Sequence, residues 1–169
     1  MNNKFDTNNL VAPIHELNFF HVDQQHINNK ITAIQAYQMM TQRSSILLNM
    51  AFKIRDFLSY RLGGVKPIKG FGSCKRGIPK LNEKLDFFDV VKISDHELFL
   101  QSTDKHLSVL VAMQLSPYNE SKNEIKITTS VITYNLFGKM YMLPVSLVHG
   151  IIIKNMLNKL LINDFQICT

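Results

Sequence analysis

An α+β domain is the fold class that this sequence predicts, and three observations carry it. Residues 85–134 fall into short runs of alternating apolar and polar side chains, broken by turn residues. A long apolar segment with helical spacing follows the corner Asn135-Leu-Phe-Gly138, and another, Ile31 to Leu62, precedes the strands. Strand side chains point alternately to two faces while helical neighbours recur every three or four residues, so the two periods separate the elements. Strands joined in sequence by short turns imply an antiparallel meander, and the C-terminal helix is the available cover for its apolar face.

The chain has 169 residues, 46% of them hydrophobic. That length reads as one domain, and that composition excludes a disordered chain. Residues 1–12 are polar and Asn-rich and read as a flexible tail, leaving 13–169 as the domain. Ile14 to Val22 suits a first strand, Asn28-Asn29 marks a turn, and Thr32 can cap a helix. Ile34, Tyr37 and Met40 recur at helical spacing, and Ile46, Leu47, Met50, Ile54, Phe57 and Leu58 continue the pattern after Ser44-Ser45. Gly63-Gly64 ends that region. Val65 to Asn82, with three glycines and two prolines, reads as a loop.

Strands are then expected at Phe87 to Ile93, Glu97 to Gln101, His106 to Leu115 and Glu124 to Tyr134. In the third, Leu107, Val109, Val111, Met113 and Leu115 share one face. In the fourth, Ile125, Ile127, Thr129, Val131 and Thr133 do so. The last helix is expected over about Met140 to Leu161. Gly138 is placed to let the backbone turn, and Pro144 suggests that regular helix starts nearer Leu143.

Net charge is +6, and eight of the basic residues lie between Lys53 and Lys80 with one acid, Asp56. The 61–80 part of that patch could meet an anionic surface, or serve as a solvated loop. It has no reading helix, and GFGSCKRG lacks the Gly-Lys-Ser/Thr ending of a phosphate loop, so no specific nucleic-acid partner is expected. The two cysteines, Cys74 and Cys168, have no metal-type spacing and read as free thiols. No metal or cofactor is expected. The N-terminus lacks the charged and apolar regions of a secretory signal. The longest apolar run, Met140 to Ile153, falls short of the roughly 20 residues a spanning helix needs, so no transmembrane segment is expected. The chain reads as cytoplasmic.

His149 shares a helix face with Val145, Ile152 and Met156. It can be a proton carrier or ligand contact in a cavity, or a core-edge histidine bonded to backbone. Tyr134 and Tyr141 flank the strand-to-helix corner and could present hydroxyls to a pocket mouth, or simply pack there. Val111, Met113, Val148 and Ile152 are expected on its apolar wall.

Several segments together resemble a bacterial family known as a domain of unknown function. They are Tyr134-Asn-Leu-Phe-Gly-Lys-Met-Tyr141 with His149, Phe52-Lys-Ile-Arg-Asp-Phe-Leu58, and Asp104-Lys-His-Leu107. The resemblance covers roughly residues 45 to 160. It departs at Leu147-Val148, where relatives commonly carry Pro-Phe. It implies a helix-grip fold like that of START and polyketide-cyclase-like domains, in which a curved antiparallel sheet wraps a long C-terminal helix around an apolar cavity. It implies no catalytic residue. Three functions follow as expectations: a module binding a small apolar or amphipathic ligand, an acid-base enzyme using His149, or a protein that meets anionic surfaces through the 61–80 loop. No oligomeric state is implied.

Overall fold

The computed structural model describes residues 9–28, 31–42, 77–119 and 121–161. The elements in chain order are β1 (Phe19–Ile27), α1 (Ala33–Thr41), β2 (Lys84–Leu85), β3 (Phe88–Ile93), β4 (Glu97–Thr103), β5 (Leu107–Pro117), β6 (Asn123–Thr133) and α2 (Leu136–Asn158). A short 3-10 turn, Lys159–Leu161, closes α2. The strands form one open antiparallel sheet in the order β1-β6-β5-β4-β3-β2. Among the described residues two helices and one sheet, with the long helix last, make the α+β arrangement of a helix-grip-like fold.

The meander from β3 to β6 follows the predicted order, because its turns are local. Ser94 Oγ accepts from the backbone of His96 and Glu97. Asp104 Oδ1 accepts from the backbone of His106 and Leu107, at 2.7 and 3.0 Å. Such side-chain-to-backbone bonds are the physical content of a turn sequence. β1 starts later than predicted: Ile14–Glu16 is a 3-10 turn after Pro13, and the strand begins at Phe19. Its partner is β6, more than a hundred residues away, and that pairing sets its limits.

Thr32 caps α1, and a reciprocal bond from Gln35 completes a capping box, as the Thr-x-x-Gln spacing allows. The buried Tyr37 hydroxyl donates to Asp86 Oδ2 at 2.7 Å. Burial and that carboxylate raise the phenol far above its usual range. Residues 43–62, read as a helical continuation, lie outside the described residues. So do residues 63–76 with most of the basic loop, and both cysteines.

The two helices lie on one face of the sheet, α1 over β4 and β5, α2 mainly over β1. Between them sits the main core, with Leu98, Leu100, Met113, Ile125 and Ile127 from the strands and Ile34, Met40, Ile152 and Leu157 from the helices. The other face has a smaller core of Phe99, Leu110 and Ala112, with Val11 packed against it. Residues 9–12 are therefore no part of a loose tail. Asn9 Nδ2 donates to Gln114 Oε1 at 3.0 Å, and the Val11 N–H to Ser130 Oγ at 2.9 Å.

The start of α2 is earlier than Pro144 suggested. Asn135 is the N-cap, its Oδ1 accepting from the Gly138 N–H at 3.0 Å, and Pro144 lies inside the helix. Proline there removes the N–H partner of the Met140 carbonyl. Met140 is exposed, so water can serve instead. Gly138 is not a turn before the helix but part of its first turn. A Cβ there would collide with the His106 carbonyl, so glycine lets the helix start directly against the β4–β5 turn. With its terminal turn, Leu136–Leu161 is 26 residues long and apolar enough, by length and composition, to cross a membrane. One side of it packs on the sheet.

Candidate functional site

The register of β1 on β6 builds the site. Phe19 lies opposite Val131 and His21 opposite Thr129, on the face that meets α2. Thr129 is also opposite Val111 on β5. One row across the sheet is therefore His21, Thr129 and Val111. His149 descends onto this row from α2, and its Nε2 lies 3.1 Å from Thr129 Oγ1. The His21 and His149 rings meet edge to face with centroids 5.3 Å apart, and Phe19 makes a second edge contact with His149 at 5.2 Å. Aromatic rings favour such geometry because a positive edge meets a negative face.

Gly150 explains how the helix comes so close. A Cβ at that position would stand 3.2 Å from His21 Nε2, tighter than ordinary contact. Burial, and then the neighbouring His21, push the His149 pKa down to about 4 from 6.5. At neutral pH its imidazole is uncharged, a hydrogen-bond donor at one nitrogen and an acceptor at the other. His21 Nδ1 is buried with no hydrogen-bond partner. Buried polar groups are nearly always bonded, and such an exception marks a place where a polar group could be gained.

The predicted residues divide as follows. His149 and Val111 meet at this row. Val148, beside His149 on α2, packs on the edge of the core, as does Val111, and both remain half-buried. Met113 and Ile152 are buried members of the core itself. Tyr134 is exposed where β6 leaves the sheet. Tyr141 is half-buried two turns before His149, about 12 Å along the helix axis. His21, Phe19 and Gly150 escaped the sequence reading. Phe19 and His21 lie in the stretch read as a first strand, but nothing local names the partner strand that gives that stretch its faces.

A second cluster occupies the strand-to-helix corner. Asn135 Nδ2 donates to the Lys105 carbonyl at 3.1 Å and lies 3.1 Å from His106 Nδ1. The Tyr134 N–H donates to the His106 carbonyl at 2.8 Å. The His106 ring leans on Phe137 with centroids 4.3 Å apart. Most of these groups fasten the corner, where Thr133 also lies beside Gly138, and His106 Nε2 and Thr133 Oγ1 are buried without a hydrogen-bond partner. At the opposite end of the sheet, Ile31, Thr32, Asp95, His96, Leu115, Ser116, Pro117 and Asn123 line an open pocket of about 320 Å³. Its Asn123 is about 20 Å along β6 from Thr129, so it is separate from the histidine pair. Among the described residues no three His, Cys, Asp or Glu side chains are grouped to hold a metal ion.

The sequence profile of a family described as a protein of unknown function, DUF2867, matches residues 13–156. No curated protein matches the chain. Two crystal structures are similar. One is a hypothetical protein, jhp0584, from Helicobacter pylori, at 13% identity and a TM-score of 0.48, covering 92% of this chain and 96% of that one. The other is a conserved protein from Geobacillus kaustophilus, at 11% identity and a TM-score of 0.41, covering 84% and 92%.

Proposed function

The chain belongs to the DUF2867 family, and we propose that it is a small-molecule-binding module whose ligand lies between the sheet and α2, beside His21 and His149. One observation carries this reading. A neutral, hydrogen-bonding imidazole stands next to an apolar inner face that is only partly covered. Val109, Val111 and Val148 all border the core there, yet each stays half-buried. Binding sites for small molecules combine apolar walls with a few placed polar groups, and this row supplies both. Met113 and Ile152 would back the wall from below, and Tyr141 and Tyr134 lie toward its corner end.

The electrostatics narrow the ligand class. A pKa near 4 means that His149 offers no positive charge at neutral pH. A buried carboxylate would go uncompensated beside it, at high cost. The ligand we infer is apolar or amphipathic and uncharged at its buried end, with a hydroxyl or carbonyl to meet a ring nitrogen. The same shift disfavours His149 as a general acid, because it has no imidazolium proton to give at pH 7, and leaves it only a weak base. Kinship with START and polyketide-cyclase-like domains, a bacterial origin and a cytoplasmic setting belong to this proposal. The helix-grip arrangement supports the first.

Titration with an environment-sensitive naphthalene dye tests the reading. Wild type is expected to bind it saturably. Val111→Trp should fill the space and abolish binding, and His149→Leu should weaken it for hydroxyl- or carbonyl-bearing competitors more than for plain hydrocarbons. Native mass spectrometry of the purified protein should show a co-purifying neutral molecule. No saturable binding, or binding indifferent to Val111→Trp in a folded variant, overturns the proposal.

A further inference from the structure

We propose that the outer face of α2 docks in the plane of an anionic lipid surface. Leu136, Met140, Leu143, Leu147, Ile151 and Leu161 are all at least half exposed, and Leu147 is 81% exposed. From Leu136 to Ile151 their spacing puts them within about 80° of the helix circumference, on the side away from the sheet. Leu161 lies in the closing 3-10 turn. A helix that is apolar all round is normally covered all round. Here the sheet covers one side, where Met142, Ile152, Ile153 and Met156 are buried, and a line of large apolar side chains from Leu136 to Ile151 is left on the other. Scattered apolar residues are ordinary on a surface, whereas a contiguous stripe marks an interaction.

Charge decides the occupant. From Leu136 to Leu161 the chain has three lysines and no acidic residue. Lys159 is turned inward, its Nζ donating to the carbonyls of Met40 and Gln42 at 2.9 and 2.8 Å. Lys139 and Lys154 are exposed, Lys139 beside the stripe at its start and Lys154 in line with it near its end. Asp104, in the β4–β5 turn against which α2 starts, has its carboxylate engaged by the backbone of that turn. A second copy of this chain, packed stripe to stripe, would bring Lys139 against a helix with no acid to receive it. A bilayer with anionic headgroups receives both parts. The leucines enter the acyl boundary, and the lysines extend to phosphate, the pattern of an in-plane amphipathic helix. The whole chain, at +6, is drawn toward the same surface. This docking is independent of the ligand site, which lies on the opposite side of α2.

Co-sedimentation with vesicles tests it, using phosphatidylcholine alone and phosphatidylcholine mixed with phosphatidylglycerol. Wild type is expected to sediment with the mixed vesicles and to release at high salt. Leu143→Glu combined with Leu147→Glu changes only exposed positions and should weaken association at least about tenfold. Lys139→Glu combined with Lys154→Glu leaves the apolar stripe intact and should abolish the preference for anionic vesicles. Circular dichroism establishes that each variant is folded, and if the leucine pair fails to fold, the lysine pair decides. His149→Leu should bind vesicles like wild type, which separates this result from the ligand reading. Three outcomes overturn the proposal: no association with either vesicle, association unchanged in the folded leucine variant, or a wild-type dimer in solution that Leu143→Glu dissociates.

Discussion

The histidine pair under α2 and the corner where α2 begins are built from similar residues and do different things. Each combines a histidine, a threonine and a glycine at a place of close approach. At the corner several polar groups have structural work: Asn135 caps the helix and reaches the Lys105 carbonyl, and the His106 carbonyl receives the Tyr134 N–H, although His106 Nε2 and the Thr133 hydroxyl are buried without a partner. At the pair, His149 has one hydroxyl partner and His21 Nδ1 has none. The lesson is that a motif position can be prominent in the sequence because it holds the chain in shape. A buried atom without a partner does not by itself separate the two places; the difference is that α2 lays His149 beside half-buried apolar side chains of the sheet, whereas at the corner the helix is fastened end-on to a turn.

The largest effect that would sharpen this contrast is a pH dependence confined to His149. Its folded pKa is about 4 against 6.5 unperturbed. Between those values the unfolded chain takes up a proton that the folded chain resists. Stability therefore falls as pH drops through that window and is unaffected by this group above it. The loss reaches about 3 kcal/mol at the bottom of the window. His149→Gln lacks this component. Urea unfolding of both proteins at pH 7 and pH 4 should show wild type losing more than the variant by that amount. An unchanged difference would mean that His149 is not held neutral by its surroundings.

Next comes Gly138→Ala at the corner. Alanine is the better helix former by about 1 kcal/mol. Here its methyl would be driven into the His106 carbonyl, which is backbone in a turn and cannot swing aside. A net destabilisation of about 2 kcal/mol is expected, measured by chemical denaturation, with dye affinity unchanged in the folded fraction. A stabilised variant would show that the corner is looser than its geometry states.

The smallest effect belongs to Gly150→Ala. The methyl meets the edge of His21 at 3.2 Å, and a side chain can yield by a few tenths of an ångström where a carbonyl cannot. Better helix propensity and tighter packing nearly cancel, and stability should stay within about 0.5 kcal/mol of wild type. The His21 ring resonances should shift and dye affinity should change. An effect on stability as large as that of Gly138→Ala would erase the distinction between the two places.

Some features were legible in the sequence because they are local. The alternation of Leu107 to Leu115 and of Ile125 to Thr133 identified β5, β6 and their inner faces, since strand period needs no partner to be seen. The turns at Ser94 and Asp104, and the cap at Thr32, announced themselves through side chains that bond backbone two or three residues away. His149 stood out because its helical neighbours are apolar. Only tertiary structure supplied the rest. Whether α2 could start at Leu136 depended on the His106 carbonyl some thirty residues back, where Gly138 fits. The burial of Asn9 and the docking of Val11 depended on Gln114 and Ser130. His21 came to stand beside His149 through its register with Thr129, a pairing spanning more than a hundred residues. Periodicity records which side of its own element a residue occupies. It contains nothing about which element lies across from that side, because the free energy of that choice resides in contacts between segments distant in sequence.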